Sequence, residues 1–110
     1  MELLTKLEEL VLIAVLRLKE EAYGTTIYRH VTELTGSRAA MSSIYYPLER
    51  LVRRGLLKAH LGPPTPVRGG MRKRFYTLTK AGVLALQENR DLSASAWQGI
   101  GKLRPETIED

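Results

Sequence analysis

A segment rich in glycine and proline, residues 62–70, restricts most strongly what this chain can fold into. Its sequence, GPPTPVRGG, holds three prolines and three glycines. Proline has no amide hydrogen to donate and glycine weakens regular structure, so the segment should form neither a helix nor a regular strand. The runs on either side, residues 56–61 and 72–78, contain the apolar residues of short strands. The chain is therefore predicted to form a β-hairpin with a long tip.

Two helices are predicted in the first third of the chain. Thr5 and Glu8 have the spacing of a capping box, so a helix should run from about Thr5 to Leu18. Its apolar residues cover more than one face, which is typical of the central helix of a core. A second helix should follow, with Thr25 as its cap and Gly36 at its end.

Two further helices are predicted on either side of the hairpin. The third should begin near Met41 or Ser42 and end before Gly55, and the fourth should follow its cap, Thr79, and run to about Ile100. This order predicts a mainly helical α+β fold: a winged helix-turn-helix with a β-hairpin wing and a C-terminal dimerisation helix. In such a fold the third helix enters the major groove of DNA. We expect one compact unit, with a DNA-binding domain at residues 1–78, the dimerisation helix at 79–102 and a flexible tail at 103–110.

Positive charge is concentrated in the third helix and the hairpin. Residues 38–80 hold ten basic side chains and one acidic side chain, a net charge of +9, whereas residues 1–37 and residues 81–110 each carry a net charge of −2. Such a block indicates an anionic polymer as partner, here double-stranded DNA, although a solvated basic face without a partner gives the same count.

The third helix has an inward and an outward face on a helical wheel. Ile44, Leu48 and Leu51 cluster on one side and should face the core. The candidate DNA-binding residues of this helix are Ser42, Ser43, Tyr45, Tyr46, Arg50 and Arg53. Among them Arg50 is the best candidate for reading a base, because arginine can hold a guanine edge through two hydrogen bonds.

Two side chains of the third helix have alternative interpretations. Glu49 could accept a hydrogen bond from a cytosine amine or pair with Arg53 four residues on, and we favour the pair. Tyr45 could bind a phosphate through its hydroxyl or pack half-buried against the second helix, and the two roles are compatible.

Cations surround the glycines at the tip of the hairpin. The candidate phosphate-binding residues are Arg68, Gly69, Arg72, Lys73 and Arg74. In an extended strand Arg72 and Arg74 should share a face, away from Lys73 and Phe75. Contacts of this kind position the protein on the duplex and make binding sensitive to salt. The alternative is that the cations only protect an exposed hairpin edge from aggregation.

A seam of residues with coiled-coil spacing runs along the last helix. It holds Val83, Leu86, Arg90, Ser93, Trp97 and Ile100. An exposed helix with an apolar seam predicts a partner, most simply a second copy of the chain, with Trp97 as the anchor of a homodimer. Alternatively, Trp97 folds back on its own core. The polar centre of the seam could also leave a slot beside Trp97 for a small aromatic effector.

The composition disfavours several function classes. The chain has no cysteine, which removes thiolate metal sites and cysteine nucleophiles and fits a cytoplasmic location. His30 and His60 are isolated, so no metal site is expected. The longest apolar run, residues 10–16, is too short to cross a bilayer, and the N-terminus lacks the pattern of a signal peptide. We therefore expect no enzyme activity, no cofactor and no membrane contact.

Together these segments resemble the PadR-type regulators, a family named for repressors of phenolic acid metabolism. The resemblance extends from about Leu4 to Ile100. It rests most on Ile44-Tyr45 with the following Leu48-Glu49-Arg50-Leu51, and on the wing with Leu78-Thr79-Lys80-Ala81-Gly82 after it. It implies operator binding as a repressor, DNA contact by Tyr45 and the wing cations, and a dimer in which the C-terminal helix packs on the partner's first helix. It also implies that some relatives bind aromatic effectors between the subunits.

The leading hypothesis is therefore a homodimeric repressor that binds double-stranded DNA sequence-specifically. The alternative is a winged-helix module that binds another protein and not DNA. The two differ in an observable property, because affinity for DNA falls steeply as the salt concentration rises.

Overall fold

The computed structural model describes residues 2–37, 40–63 and 72–109. The elements in this part of the chain are α1 (Lys6–Leu18), α2 (Gly24–Thr35), α3 (Ser42–Arg53), β1 (Leu57–Leu61), β2 (Arg74–Leu78) and α4 (Lys80–Trp97). The strands pair as an antiparallel hairpin. This order confirms the predicted mainly helical winged helix-turn-helix. The hairpin tip, and with it Arg68 and Gly69 among the predicted DNA contacts, lies outside the described residues.

Helix α1 is the centre of the core, as its apolar pattern predicts. The Thr5 hydroxyl accepts a hydrogen bond from the Glu8 amide at 3.1 Å, and the Glu8 carboxylate accepts one from the Thr5 amide at 2.8 Å. This capping box satisfies two amides that the first turn of a helix otherwise leaves unpaired. The core residues are Val11, Leu12, Ala14, Val15, Ala22, Ile27, Val31, Ile44, Leu48, Leu51, Leu56, Leu57 and Tyr76.

The start of α2 differs from the prediction. Tyr23, not Thr25, occupies the cap position, and the helix begins at Gly24. The Thr26 hydroxyl accepts a hydrogen bond from the Tyr23 amide at 3.0 Å. The preceding Ala22 carbonyl also accepts a hydrogen bond from the Tyr76 amide of β2 at 2.9 Å. Because β2 holds the chain extended up to Tyr23, the helix starts directly after it.

Helix α3 ends in a glycine cap. Gly55 has φ 75°, a left-handed conformation that glycine adopts without steric cost. Its amide donates to the Val52 carbonyl at 3.0 Å, and the next amide, of Leu56, donates to the Leu51 carbonyl at 2.9 Å. These two bonds form a Schellman motif. The inward face is also as predicted, because Ile44, Leu48 and Leu51 are buried together with Pro47.

The hairpin is shorter than predicted. In its register Leu57 lies opposite Leu78, and Leu61 lies opposite Arg74. Beyond the last pair, the Gly62 amide donates to the Lys73 carbonyl at 2.7 Å. A β-carbon at position 62 would lie 2.5 Å from the Phe75 ring, so a larger residue there would displace the ring.

Helix α4 packs against the core over its first half, through Ala85 and Leu86, and projects from it further on. The Thr79 hydroxyl accepts a hydrogen bond from the Gly82 amide at 3.0 Å, which confirms Thr79 as the cap. Residues 90–97 are all exposed, and the molecule is 61 Å long by 30 Å and 20 Å. The helix ends at Trp97 rather than Ile100, because Gly99 takes up a left-handed turn with φ 83°.

Candidate nucleic-acid interface

The outward face of α3 presents polar side chains to solvent beside the hairpin. Ser42, Glu49 and Arg53 recur at a spacing of seven and four residues, so they lie along one stripe, and all three are exposed. Tyr46 flanks this stripe and is 76% exposed. The face combines hydroxyl groups with a guanidinium group, which are donors that base edges and phosphates accept.

Arg50 lies at one edge of this face, on the side of α1. Its Nη1 is 3.8 Å from Oε2 of Glu8, and its side chain is 54% exposed. Arg54, one turn further on, is closer to α1: its Nε is 2.8 Å from Oε1 of Glu2 and its Nη1 is 3.5 Å from Oε2 of Glu8. Arg53 therefore lies on the outward stripe, whereas Arg50 lies at its edge.

Glu8 is a structural residue that the sequence analysis identified only as part of a cap. Its side chain is 2% exposed, and its two oxygens face the Thr5 amide on one side and the arginines of α3 on the other. A buried carboxylate without partners would be costly, so these contacts join α1 to α3. The sequence signal for this role of Glu8 was the four-residue spacing of Arg50 and Arg54, which places two cations on one flank of a helix.

Glu49 pairs with the hairpin and not with Arg53. Its Oε1 accepts a hydrogen bond from Nη1 of Arg74 at 2.9 Å, and the two side chains are 49% and 45% exposed. The guanidinium of Arg74 also lies 5.6 Å from the ring centroid of Tyr76. Burial raises the pKa of Tyr76, and the positive charge of Arg74 opposes this rise.

Tyr45 packs half-buried against the second helix, which is one of the two roles predicted for it. Its ring lies beside the first turn of α2, where a β-carbon on Gly24 would be 3.8 Å from the ring and from the hydroxyl. The side chain is nevertheless 50% exposed. The neighbouring Ser43 hydroxyl donates to the Ala40 carbonyl at 2.6 Å, so it serves the local turn.

The base of the wing separates its cations onto different sides. Lys73 places its amine 4.3 Å above the Tyr23 ring, and Phe75 meets the same ring edge-on with centroids 5.4 Å apart. Arg74 instead faces α3, as strand alternation predicts. Arg72 donates from Nε to the Gly62 carbonyl at 2.7 Å. Because this acceptor is uncharged, the contact does not neutralise the positive charge of Arg72.

These ion pairs reduce the positive field that the sequence count suggested. Carboxylates of Glu2, Glu8 and Glu49 lie against Arg54, Arg50 and Arg74. In α3 and residues 72–74, the cations with no carboxylate within 4 Å in the described structure are Arg53, Arg72 and Lys73.

A second surface, on the opposite side of α1, contains most of the predicted seam. An open groove of about 750 Å³ runs between α1 and α4. Its apolar lining includes Leu10, Ile13, Leu16, Val83, Leu86 and Trp97, and its polar lining includes Arg90 and Ser93. Trp97 is 54% exposed, so the alternative that it folds back into its own core is wrong. Ile100 is equally exposed, just beyond the end of α4.

The described residues contain no helix that is both long and apolar enough to cross a membrane. The same residues hold no group of three or more His, Cys, Asp or Glu side chains that could bind a metal ion.

Comparison with known proteins gives a family and a set of similar structures. Residues 12–88 match the transcriptional regulator PadR-like family. A PadR-like transcription factor from Bacteroides fragilis has a TM-score of 0.68 at 23% identity, and 82% of each chain is covered. A PadR-like transcriptional regulator from Bacillus cereus has a TM-score of 0.65 at 22% identity, again with 82% of each chain covered. A PadR family transcription regulator from Clostridium difficile has a TM-score of 0.63 at 22% identity, and the match covers 88% of this chain and 100% of the other. No curated protein matches the sequence.

Proposed function

This chain belongs to the PadR-like family of transcriptional regulators, and on that premise we propose that it is a homodimeric repressor that binds a DNA operator through α3 and the wing. The family consists of transcription regulators and not of enzymes. The observation that carries the proposal is the stripe of exposed polar groups on α3, which runs from Ser42 to Arg53, beside the wing cations Arg72 and Lys73.

With α3 in the major groove, the groups that face the base edges are Ser42, Tyr46, Glu49 and Arg53. Arg53 is the residue that holds a guanine edge, because it is exposed on the outward stripe and has no carboxylate within 4 Å in the described structure. Arg50, turned toward Glu8, reaches the sugar-phosphate backbone at the edge of the groove. Tyr45 offers its hydroxyl to a phosphate on the opposite edge.

The wing supplies contacts that do not depend on sequence. Arg72 and Lys73 bind phosphates, together with Arg68 and Gly69 nearer the tip. Each neutralised phosphate steepens the salt dependence of binding by about 0.9 units in a plot of log K against log salt.

The groove between α1 and α4 is the homodimer interface. Its apolar lining is open to solvent in the single chain, and the second half of α4 lies beyond the core. Exposed apolar surface of this kind favours burial by a second copy. The dimer places two copies of α3 about one turn of DNA apart, near 34 Å, so each enters one half-site. A monomeric protein at micromolar concentration would contradict this part of the proposal.

The interface also offers a place for an effector. Trp97 is the single tryptophan of the chain and lies at the end of the groove. A planar aromatic molecule that binds between the two copies would stack on its indole ring and change the spacing of the two α3 helices. Titration of planar aromatics should then quench tryptophan fluorescence and weaken DNA binding together. Quenching without any change in DNA affinity would remove this role.

DNA binding is tested by fluorescence anisotropy with the gene's upstream region and with a random duplex, over a series of salt concentrations. The upstream region should bind more tightly, and affinity should fall steeply with salt. Arg53→Ala should lose about 5- to 150-fold in operator affinity, the equivalent of about 1–3 kcal/mol for a base contact. Lys102→Ala removes one exposed cation in the C-terminal segment and serves as the matched control. If no duplex binds saturably, the protein-binding alternative replaces the proposal.

The dimer is tested by analytical ultracentrifugation. Trp97→Ala should weaken self-association at least tenfold, whereas Leu34→Ala should not. Leu34 is a suitable control because it is exposed to a similar degree, 51% against 54%, but lies on α2 outside the groove.

A further inference from the structure

The one acidic side chain of the basic segment lies at the centre of its DNA-facing surface. Residues 38–80 contain a single carboxylate, Glu49, among ten basic side chains. It occupies the outward stripe of α3, two turns after Ser42 and one turn before Arg53. A carboxylate there repels phosphates, so it opposes the attraction that a DNA-binding surface otherwise exerts on any duplex.

Arg74 holds this carboxylate in place from the wing. One bond of 2.9 Å joins Nη1 of Arg74 to Oε1 of Glu49, while half of each side chain stays exposed. The pair carries no net charge, so Arg74 attracts phosphates less than Arg72 or Lys73. The described contacts of Glu49 use one of its two oxygens. The second is available to a donor in the groove.

From this geometry we propose that Glu49 determines specificity by accepting a hydrogen bond from the N4 amine of a cytosine, with Arg74 as its positioning residue. The inference rests on the proposed DNA binding. In the major groove cytosine presents a donor at this edge, and carboxylates accept from it. On a matching site the bond compensates for the repulsion from the phosphates. On any other site the repulsion remains, and binding is weakened.

The two residues have opposite effects on binding to unrelated DNA. Glu49→Gln removes the repulsion and releases Arg74, so affinity for a random duplex should rise about tenfold. The released cation can neutralise one more phosphate, so the salt slope should steepen by about one unit. Glutamine pairs preferentially with adenine, so preference at one position of each half-site should change from cytosine to adenine. Arg74→Ala leaves the Glu49 carboxylate unpaired, so affinity for the random duplex should fall.

The experiment first selects tight-binding duplexes for the unmodified protein from a random library. Affinity for the best duplex, for its single-base variants and for a random duplex is then measured by anisotropy at several salt concentrations. The proteins are the unmodified chain, Glu49→Gln, Arg74→Ala and the double variant. Glu33→Gln, on the exposed side of α2, is the matched control. Circular dichroism confirms that each variant is folded.

Glu49→Gln should change the preferred base from cytosine to adenine, bind the random duplex more tightly and show a steeper salt dependence. When Arg74→Ala is added, the affinity for the random duplex and the salt dependence should return to those of the unmodified protein. The inference is overturned if Glu49→Gln keeps the base preference and the ratio of specific to random affinity of the unmodified protein. Failure of the proposed function looks different, because the unmodified protein itself would then select no duplex.

Discussion

Replacement of Gly82 by alanine should destabilise this protein, although the same change in most helices is stabilising. Gly82 is the third residue of α4 and is buried. Alanine exceeds glycine in helix propensity by about 1 kcal/mol, so the local effect favours the variant. A β-carbon at this position, however, would lie 2.2 Å from the carbonyl oxygen of Leu56 and 3.0 Å from a methyl group of Leu78.

The carbonyl of Leu56 has little freedom to move away. It accepts a hydrogen bond from the Thr79 amide at 3.2 Å, and the Thr79 hydroxyl donates to the Gly55 carbonyl at 2.6 Å. Relief of the clash requires α4 to shift from the end of α3 by about 1 Å. Overpacking of this kind costs about 1–3 kcal/mol, and each weakened hydrogen bond adds about 1 kcal/mol. After subtraction of the propensity gain, we expect a net loss of about 2–4 kcal/mol.

Urea denaturation followed by circular dichroism at one fixed protein concentration measures this loss. Gly24→Ala is the matched control. It lies in the first turn of α2, and its β-carbon would meet the Tyr45 ring at an ordinary 3.8 Å. That variant should be neutral or more stable by up to about 1 kcal/mol. If Gly82→Ala is as stable as the unmodified protein, the close contact between α4 and Leu56 is not a feature of the folded chain.

Three further predictions concern other contacts of the structure. Glu8→Ala should lower the free energy of unfolding by about 2–3 kcal/mol, because it removes a buried carboxylate that faces two arginines; Glu33→Ala, on the surface of α2, should change it by less than about 0.5 kcal/mol in the same urea titration. Because the pKa of Tyr76 is raised in the folded state, stability should fall as the pH rises above about 10, where the unfolded chain ionises first; thermal unfolding of Tyr76→Phe should show a smaller fall. Gly62→Ala should displace Phe75 and weaken binding to all duplexes alike, which anisotropy with operator and random DNA would detect, whereas an unchanged affinity would contradict a role of the wing base.

Local signals were sufficient for most element boundaries. The capping box of Thr5 and Glu8 identified the start of α1, and Gly55 marked the end of α3. Each of these signals acts within one or two turns of helix, so the neighbouring residues contain all the information. The start of α2 was predicted wrongly because a strand more than fifty residues later, through the bond from Tyr76 to Ala22, decides where the chain becomes helical.

The candidate DNA-binding surface was predicted in outline but not in detail. Helical periodicity identified the outward face of α3, because which side is apolar depends only on spacing along the helix. The partner of Glu49 came instead from β2, 25 residues away, and the partner of Arg54 from α1, 46 residues away.

The order of elements, the polar and apolar faces and the caps of α1 and α4 thus follow from patterns along the chain, since they depend on residues a few positions apart. Folding in three dimensions decided which arginines are paired with carboxylates and which remain available to an anionic partner. The physical reason is that charges interact through space, so residues distant in sequence neutralise one another once packing brings them within a few ångströms.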